Sequence, residues 1–242
     1  MSVSTTAFKI SVIPSAPANQ NSLGVMVDPL ATYQGVLPNG EQFVWALLGQ
    51  DDIPAILHLQ DTVAASANEL EKNFLIKRSA GCFEESMAQG HLYWGAYSGE
   101  NLVSLFGLAD NDEEVGDGRG QKTPKKSLGV SRYNQVSILK GAQVHPKYRD
   151  QGLGAIGALA RYIYFLENPD KQVIMTKVHA GNNAVCENYI NNGFLEACRT
   201  PVTDHSHTFN VVTFKAERSV LQGWIDAKMK NVMLKYSLVV AD

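Results

Sequence analysis

The most informative stretch of this sequence runs Val144-His145-Pro146-Lys147-Tyr148-Arg149-Asp150-Gln151-Gly152-Leu153-Gly154-Ala155. It follows an apolar run from Gln135 that is typical of a strand, and it opens a segment whose apolar residues recur at helical spacing. The pattern predicts a strand, a glycine-bearing turn and a helix N-terminus in succession. The first turn of a helix presents unpaired backbone N–H groups at the positive end of the helix dipole. Glycines let a bulky anion approach that backbone, so the stretch is predicted to bind phosphate.

One interpretation of the glycines is a dinucleotide fingerprint, because Gly152 to Gly157 matches G-x-G-x-x-G literally. That fingerprint requires the strand to run almost directly into the first glycine. Here the residues from His145 to Gln151 separate Val144 from Gly152. The acidic residue expected at the end of the next strand is also missing, since Lys177-Val178-His179 ends it. We therefore discard a nicotinamide-binding function.

Two motifs in the sequence fit another family better. Residues Val144 to Gly154 have the pattern Val-x-Pro-x-x-Arg-x-x-Gly-x-Gly. Residues Asn182 to Phe194 have the pattern Asn-x-x-Val-x-x-x-Tyr-x-x-x-Gly-Phe. Together they resemble the acetyl-coenzyme A (acetyl-CoA) signature and the second signature of the GCN5-related N-acetyltransferases (GNAT), in the order and at the spacing of that superfamily. The one departure is Val185, where the family prefers alanine, and the resemblance covers roughly Phe43 to Phe214.

The expected fold is α/β with mixed α+β order, because helices alternate with hairpins along the chain. The resemblance implies a GNAT-type acyl-CoA N-acyltransferase fold, with a mixed, mostly antiparallel sheet and helices on both faces. Residues 1–42 are expected to form an N-terminal arm packed on the domain, with a short strand at residues 8–13, and residues 43–215 the acetyltransferase domain. The turn signal at residues 38–41 predicts a hairpin between residues 33–37 and 43–48, and the polar residues from Asp110 to Ser127 predict an exposed loop. Residues 216–242 are expected to form an amphipathic C-terminal helix and tail, which covers either the domain or a second subunit. A homodimer is therefore left open.

The resemblance also implies the cofactor contacts. The backbone of Gln143 and Val144 would pair with the pantetheine arm as an added strand. Arg149 would either contact a phosphate or brace the turn, and Asn182 would hydrogen-bond the pantetheine region. The pyrophosphate would be bound by the backbone amides of a single loop: Asp150, Gln151, Gly152, Leu153, Gly154 and Ala155. Acetyl-CoA is thus expected as a co-substrate, and no metal is expected.

Acyl transfer to an amine requires that the amine lose a proton, that the oxyanion be stabilised and that the leaving thiolate be protonated. A lysine-like amine has a pKa of about 10.4 and must lose a proton before it attacks. The Val144 amide is placed to stabilise the oxyanion, and the phenol of Tyr189, with a pKa of about 10, can protonate the leaving thiolate. Tyr189 could alternatively be a half-buried helix aromatic with no chemical role. The base stays open, because residues 135–144 contain no carboxylate; the candidates are Glu85, Asp61, His58 and the acids of residues 110–117.

Composition and charge indicate which binding partners and which cellular compartment to expect. The net charge is −3 and the lysines and arginines are dispersed, so nothing indicates a nucleic-acid partner. The sequence shows no apolar run of transmembrane length and no signal-peptide pattern, so a soluble cytoplasmic protein without membrane contact is expected. The three cysteines have no metal-type spacing.

The leading functional hypothesis is acetyl transfer from acetyl-CoA to a primary amine, either in a small molecule or in a peptide. The alternative is an acyl-CoA-binding or regulatory module with little turnover, because the family's usual glutamate is absent from the strand before Val144. Acylation of a hydroxyl or of a protein N-terminus is a third option.

Overall fold

The protein is described from a computed structural model that covers residues 28–68, 72, 77–110, 123–204 and 207–241. The strand expected at residues 8–13 lies outside these residues, as does most of the polar loop expected between Asp110 and Ser127. The end of that loop begins a short helix at Lys125, so the expectation of an irregular loop was wrong from there on. Lys125 and Lys126 are exposed as expected, and the helix ends at the buried Leu128, the residue after the predicted loop.

The described helices are α1 Ile53–Ser66, α2 Ala80–Ala88, α3 Lys125–Leu128, α4 Leu153–Glu167, α5 Asn183–Asn191 and α6 Arg218–Tyr236. The strands are β1 Tyr33–Val36, β2 Gln42–Leu47, β3 Leu92–Ser98, β4 Asn101–Ala109, β5 Val136–Val144, β6 Val173–His179, β7 Leu195–Asp204, β8 His207–Glu217 and β9 Val239–Val240.

All of these strands belong to one sheet, in the order β7-β8-β6-β5-β4-β3-β2-β1-β9. Strands β5 and β6 pair in parallel, and the other neighbours pair antiparallel. The crossover between the parallel pair is α4, as parallel pairing requires. The expectation of a mixed, mostly antiparallel sheet is therefore confirmed.

The sheet buries both of its faces. Helices α1 and α2 cover one face, where Ile56 and Phe83 pack with Leu105. Helices α4, α5 and α6 cover the other, where Trp94 and Phe106 belong to the largest core cluster. Side chains alternate between the faces along a strand, so β4 contributes to both clusters and is buried along almost its whole length. Helices on both faces were expected and are confirmed.

The two ends of the described chain meet at one edge of the sheet. Strand β1 pairs with β2 in the hairpin that the sequence indicated, and β9 pairs with the other side of β1. Helix α6 packs on α4, with its apolar stripe buried in the same core as Trp94. The stripe comprises Leu221, Ile225, Met229, Val232 and Tyr236. The polypeptide beyond Phe214 thus completes the core on the α4 face of this molecule.

Candidate functional site

A cleft opens where β5 and β6 separate. The two strands pair only at Val136 with Val173, Ser137 with Ile174 and Ile138 with Met175. The Thr176 hydroxyl still lies 3.5 Å from the Leu139 carbonyl oxygen, and beyond it no described residue pair joins the strands. The carboxyl half of β5 therefore keeps its partner β4 on one side and borders a cleft on the other.

Strand β5 contains a β-bulge in the half that borders this cleft. Leu105 pairs with Gln143 and Gly107 pairs with Lys140, so β5 holds one residue more than β4 between these pairs. Gly141 lies in the bulge with φ +51°, a conformation that suits glycine. The extra residue turns the strand at this point. Gln143 and Val144, the two residues expected to pair with the pantetheine arm, follow directly after the turn.

The turn from β5 into α4 has the conformation of an anion-binding loop. Asp150 has φ +61° and Gly152 has φ +83°, and Gly152 is the residue before the first turn of α4. The amides of Gly152, Leu153 and Gly154 have no acceptor within the described part of the chain. A Cβ added at Gly154 would meet nothing within 4 Å. The loop therefore presents free donors beside open space.

Two of the six amides expected to bind pyrophosphate already have acceptors within the loop. The Gln151 amide donates to the Tyr148 carbonyl at 3.4 Å, and the Ala155 amide donates to the Gly152 carbonyl at 2.9 Å. Arg149 is exposed on the same turn. The central glycine segment is thus better suited to bind an anion than the two flanking amides.

Contacts from the β1–β2 hairpin hold this loop in place. The ammonium of Lys147 donates to the Glu41 carboxylate at 3.1 Å, and Ser98 Oγ donates to the same carboxylate at 3.3 Å. Hydrogen bonds from Tyr148 and Lys147 lower the pKa of Glu41. The Lys147 amide donates to Nδ1 of His145 at 3.2 Å, which closes the start of the turn. The loop is therefore braced before any ligand binds.

Tyr189 lies on α5, the helix that follows β6. Its half-buried ring meets Phe194 edge-on with the centroids 5.0 Å apart, and it stacks on Phe214 with the centroids 5.9 Å apart. Phe194 is buried against Tyr162 of α4, and Gly193 makes the turn before it with φ +83°. The Gly-Phe end of the second motif therefore fixes the Tyr189 ring.

Asn182 has an observed role that differs from its expected one. It is the N-cap of α5, and its Oδ1 accepts a hydrogen bond from the Val185 amide at 3.4 Å. Capping uses the side-chain oxygen, so the amide NH2 is the group that could reach a ligand.

The candidate bases differ in their surroundings. Asp61 is exposed and forms an ion pair with Lys77 at 2.7 Å, which lowers the pKa of the carboxyl. Glu85 is exposed on α2 and accepts from Gln89 at 3.5 Å. His58 of α1 lies close enough to His145 to act on it electrostatically, although burial is the largest cause that lowers the pKa of His145. The acids of residues 111–117 lie outside the described residues.

Sequence reasoning missed one buried residue near the cleft, Arg161 of α4. Its side chain is only 4% exposed, and its guanidinium carbon lies 5.1 Å from the centre of the Phe106 ring. Helical periodicity is counted on apolar residues, so an arginine on that face carried no signal. The available hint was Gly157 one turn earlier, where an added Cβ would lie 2.5 Å from the Phe106 ring.

Solved structures with this fold belong to N-acetyltransferases of low sequence identity. NAA60 of Arabidopsis thaliana, in complex with acetyl-CoA, matches at a TM-score of 0.56 and 14% identity, over 73% of this chain and 99% of that one. A probable acetyltransferase of Staphylococcus epidermidis matches at 0.54 and 14%, over 72% and 98%. The ribosomal-protein-S18-alanine N-acetyltransferase of Escherichia coli matches at 0.50 and 17%, over 72% and 93%.

No protein-family model and no curated protein sequence matches this chain. The likeness to known proteins therefore concerns the fold. The chain has the fold of the GCN5-related N-acetyltransferases, which is the fold that the two motifs indicated.

The described residues contain no group of three or more His, Cys, Asp or Glu side chains arranged to hold a metal ion. None of the helices described is both long enough and apolar enough to cross a membrane.

Proposed function

We propose that this protein transfers an acetyl group from acetyl-CoA to a primary amine of a small molecule or peptide, by direct attack in a ternary complex. The observation that carries the proposal is the separation of β5 from β6, together with the glycine loop that follows β5 and the helix after β6 that carries Tyr189. The fold shared with N-acetyltransferases supports it.

The loop and the strand edge fit an acyl-CoA in complementary ways. A pyrophosphate would accept hydrogen bonds from the free amides at Gly152–Gly154, beside the N-terminus of α4. The pantetheine arm would then pair with β5 at Gln143 and Val144, in place of the missing strand on that side. This arrangement would bring the thioester toward the bulge at Gly141. Asn182 and Arg149 are proposed as further contacts.

The chemistry requires a donor for the oxyanion and a proton for the leaving thiolate. The ammonium would first lose one proton to water. The amine nitrogen would then attack the thioester carbonyl, so that the N–C bond forms and the C–S bond breaks. The Val144 amide would donate to the oxyanion. The Tyr189 phenol would donate its proton to the thiolate, and the second proton that the nitrogen loses as the amide forms would restore the phenol.

An alternative function is an acyl-CoA-binding or regulatory module. It is favoured by one observation: β5 carries no carboxylate to act as a base. The test is to measure release of free CoA thiol from acetyl-CoA over a panel of amines and peptides, alongside thermal stabilisation by CoA. Turnover with an amine supports the transferase. Stabilisation by CoA without turnover on any acceptor would favour the binding module instead.

Tyr189→Phe tests the chemical step separately. It removes only the phenolic hydroxyl, so the ring stacking is retained. We expect kcat to fall by about 100-fold, the lower range for loss of a general acid, with little change in the Kd for CoA. Tyr164→Phe on α4 is the matched control, since that half-buried ring packs on Trp94 and has no assigned role. Equal kcat values for the two variants would remove Tyr189 from the mechanism.

A further inference from the structure

Arg161 is a buried cation with an unused donor. Its Nε donates to the Gly157 carbonyl at 2.8 Å, within its own helix. Its Nη1 is buried and has no hydrogen-bond partner. Among the described residues, no aspartate or glutamate forms an ion pair with it. A guanidinium in this state lacks the partner that buried charges ordinarily have.

Arg161 lies on α4 at the level of the bulge in β5. Its guanidinium lies over Phe106, and Phe106 is the β4 residue opposite the bulge between Lys140 and Gln143. Along α4, Arg161 lies eight residues after Leu153, about 12 Å from the start of the helix, and its Nε reaches back to the carbonyl of Gly157, which lies about 6 Å from that start. The guanidinium therefore lies about 6 to 12 Å beyond the loop that would hold the pyrophosphate. The acyl end of a bound acyl-CoA would extend in this direction, toward the bulge.

Arg161 also lies near the proposed proton donor. Burial is the largest influence on the Arg161 guanidinium and lowers its pKa, and the phenols of Tyr189 and Tyr162 oppose this effect. The Tyr189 ring packs on Phe194, and Phe194 packs on Tyr162, the residue after Arg161 on α4. The elements that carry Arg161 and Tyr189 therefore pack against each other through these rings.

An uncompensated buried charge is unfavourable, and removing one partner of a buried ion pair is strongly destabilising in proteins. The π face of Phe106 offsets only part of this cost. An anion that entered the cleft would supply the missing partner. Arginine is well suited to bind a carboxylate, because its planar guanidinium matches both oxygens.

We propose that Arg161 binds a carboxylate at the far end of the acyl chain, so that the preferred donors are CoA monothioesters of short dicarboxylic acids, with malonyl- and succinyl-CoA as probes. This proposal rests on the proposed acyltransferase function and names its acyl class; acetyl-CoA becomes the weaker donor. The bonds that form and break are those of acetyl transfer, and the distal carboxylate is unchanged. A cationic amine would therefore become an amide that carries a negative charge.

The direct test is binding without any acceptor, by calorimetry on the full chain. Succinyl-CoA and butyryl-CoA form one pair of equal chain length, and malonyl- and propionyl-CoA form another. We expect the carboxylate member of at least one pair to bind about tenfold or more tightly, the range for a hydrogen bond to a charged group. Equal Kd values in both pairs would overturn the proposal.

Variants of Arg161 test whether this residue causes the preference for a carboxylate on the acyl chain. Arg161→Met keeps the length and removes the charge, so the preference should be lost or reversed, and Arg161→Lys should keep part of it. Arg218→Met is the matched control, because the Arg218 guanidinium donates to the carbonyls of residues 165, 166, 168 and 171. It should lower stability without changing the preference. A preference that persists in Arg161→Met would overturn the assignment, and if that variant does not fold, Arg161→Lys and the wild-type pairs decide.

Two further outcomes distinguish a failure of the acyl-class proposal from a failure of the proposed acyltransferase function. If all acyl-CoAs bind with equal affinity and turn over, the acyltransferase function stands and the acyl-class proposal fails. If neither CoA nor any acyl-CoA binds, the proposed function itself fails. A carboxylate on the acceptor is tested with a panel of amines with and without that group. If Arg161→Met changes the selectivity among acceptors but not among acyl chains, the guanidinium binds the acceptor, and the acyl-class proposal is overturned.

Discussion

Gly152 has two reasons to be glycine. Its φ of +83° lies in the left-handed region, and the Tyr236 hydroxyl occupies the direction that a side chain would take, 1.5 Å from an ideal Cβ. Tyr236 ends α6 and is 2% exposed, with its ring edge-on to Phe43. The residue that most clearly marks the loop in the sequence is therefore also a packing contact with the C-terminal helix.

Gly152→Ala should destabilise the fold by about 2–3 kcal/mol, since left-handed backbone strain adds to the overlap with Tyr236. Gly154→Ala is the matched control two residues later, where open space and better helix propensity make the change neutral or slightly favourable. Urea unfolding measures both. Combining Tyr236→Phe with Gly152→Ala should recover part of the lost stability. The second substitution removes the hydroxyl oxygen, which is the atom nearest to the added Cβ, whereas Cζ remains 2.7 Å from that Cβ. Equal stability of the two alanine variants would show that Gly152 is not constrained.

Helix α5 is held at both of its ends. Asn182 caps its N-terminus, and at its C-terminus Trp224 Nε1 of α6 donates to the Asn192 side chain at 2.8 Å. Trp224 also meets Tyr162 of α4 edge-on, with the ring centroids 5.2 Å apart. The short helix that carries Tyr189 thus depends on α4 and α6 for its position, as few of its own residues are buried.

Substitutions at Asn182 separate capping from ligand contact. Asn182→Ala removes the cap and should destabilise the protein by about 1 kcal/mol. Asn182→Asp keeps an acceptor at the cap but loses the NH2 donor, so it should restore stability and still bind CoA less tightly than wild type. Thermal unfolding and CoA titration of both variants provide the measurement. Wild-type CoA affinity in Asn182→Asp would show that the residue serves only as a cap.

At the scale of the molecule, two half-buried histidines link stability to pH. Nδ1 of His145 accepts from the Lys147 amide, and Nδ1 of His179 accepts from the Gly181 amide at 3.0 Å. A protonated Nδ1 cannot accept, and burial lowers the pKa of both imidazoles. The unfolded chain, with a histidine pKa of about 6.5, therefore binds more protons than the folded one below that pH.

The free energy of unfolding should accordingly be highest above about pH 6.5 and fall as the pH is lowered toward 5. Replacing both residues, His145→Gln with His179→Gln, should reduce this slope. His58→Gln is the control, as that side chain is exposed. Urea unfolding at several pH values gives the slope directly, and an unchanged slope in the double variant would contradict the linkage.

The sequence was sufficient for features that depend on neighbouring residues. The glycine loop, the Tyr189 motif and the C-terminal helix were predictable, because positive φ angles, capping residues and apolar periodicity are properties of consecutive positions. Motif resemblance indicated the acetyltransferase fold that the structure then confirmed. The short helix at residues 125–128 was missed, because its last residue, Leu128, is buried in one core cluster with residues of β6 that lie far from it in the sequence.

Contacts between distant residues were decided by the tertiary structure. No local pattern places the Tyr236 hydroxyl on Gly152, or joins β1 and β9 at one sheet edge. The same holds for Arg161, for which the helical pattern of apolar residues gave no signal and which the fold buries over Phe106. By itself, the sequence determined the glycine loop and the order of elements, because backbone conformation and amphipathicity are local. The tertiary structure alone decided what meets across the cleft, since burial and missing ion-pair partners depend on how separate elements pack.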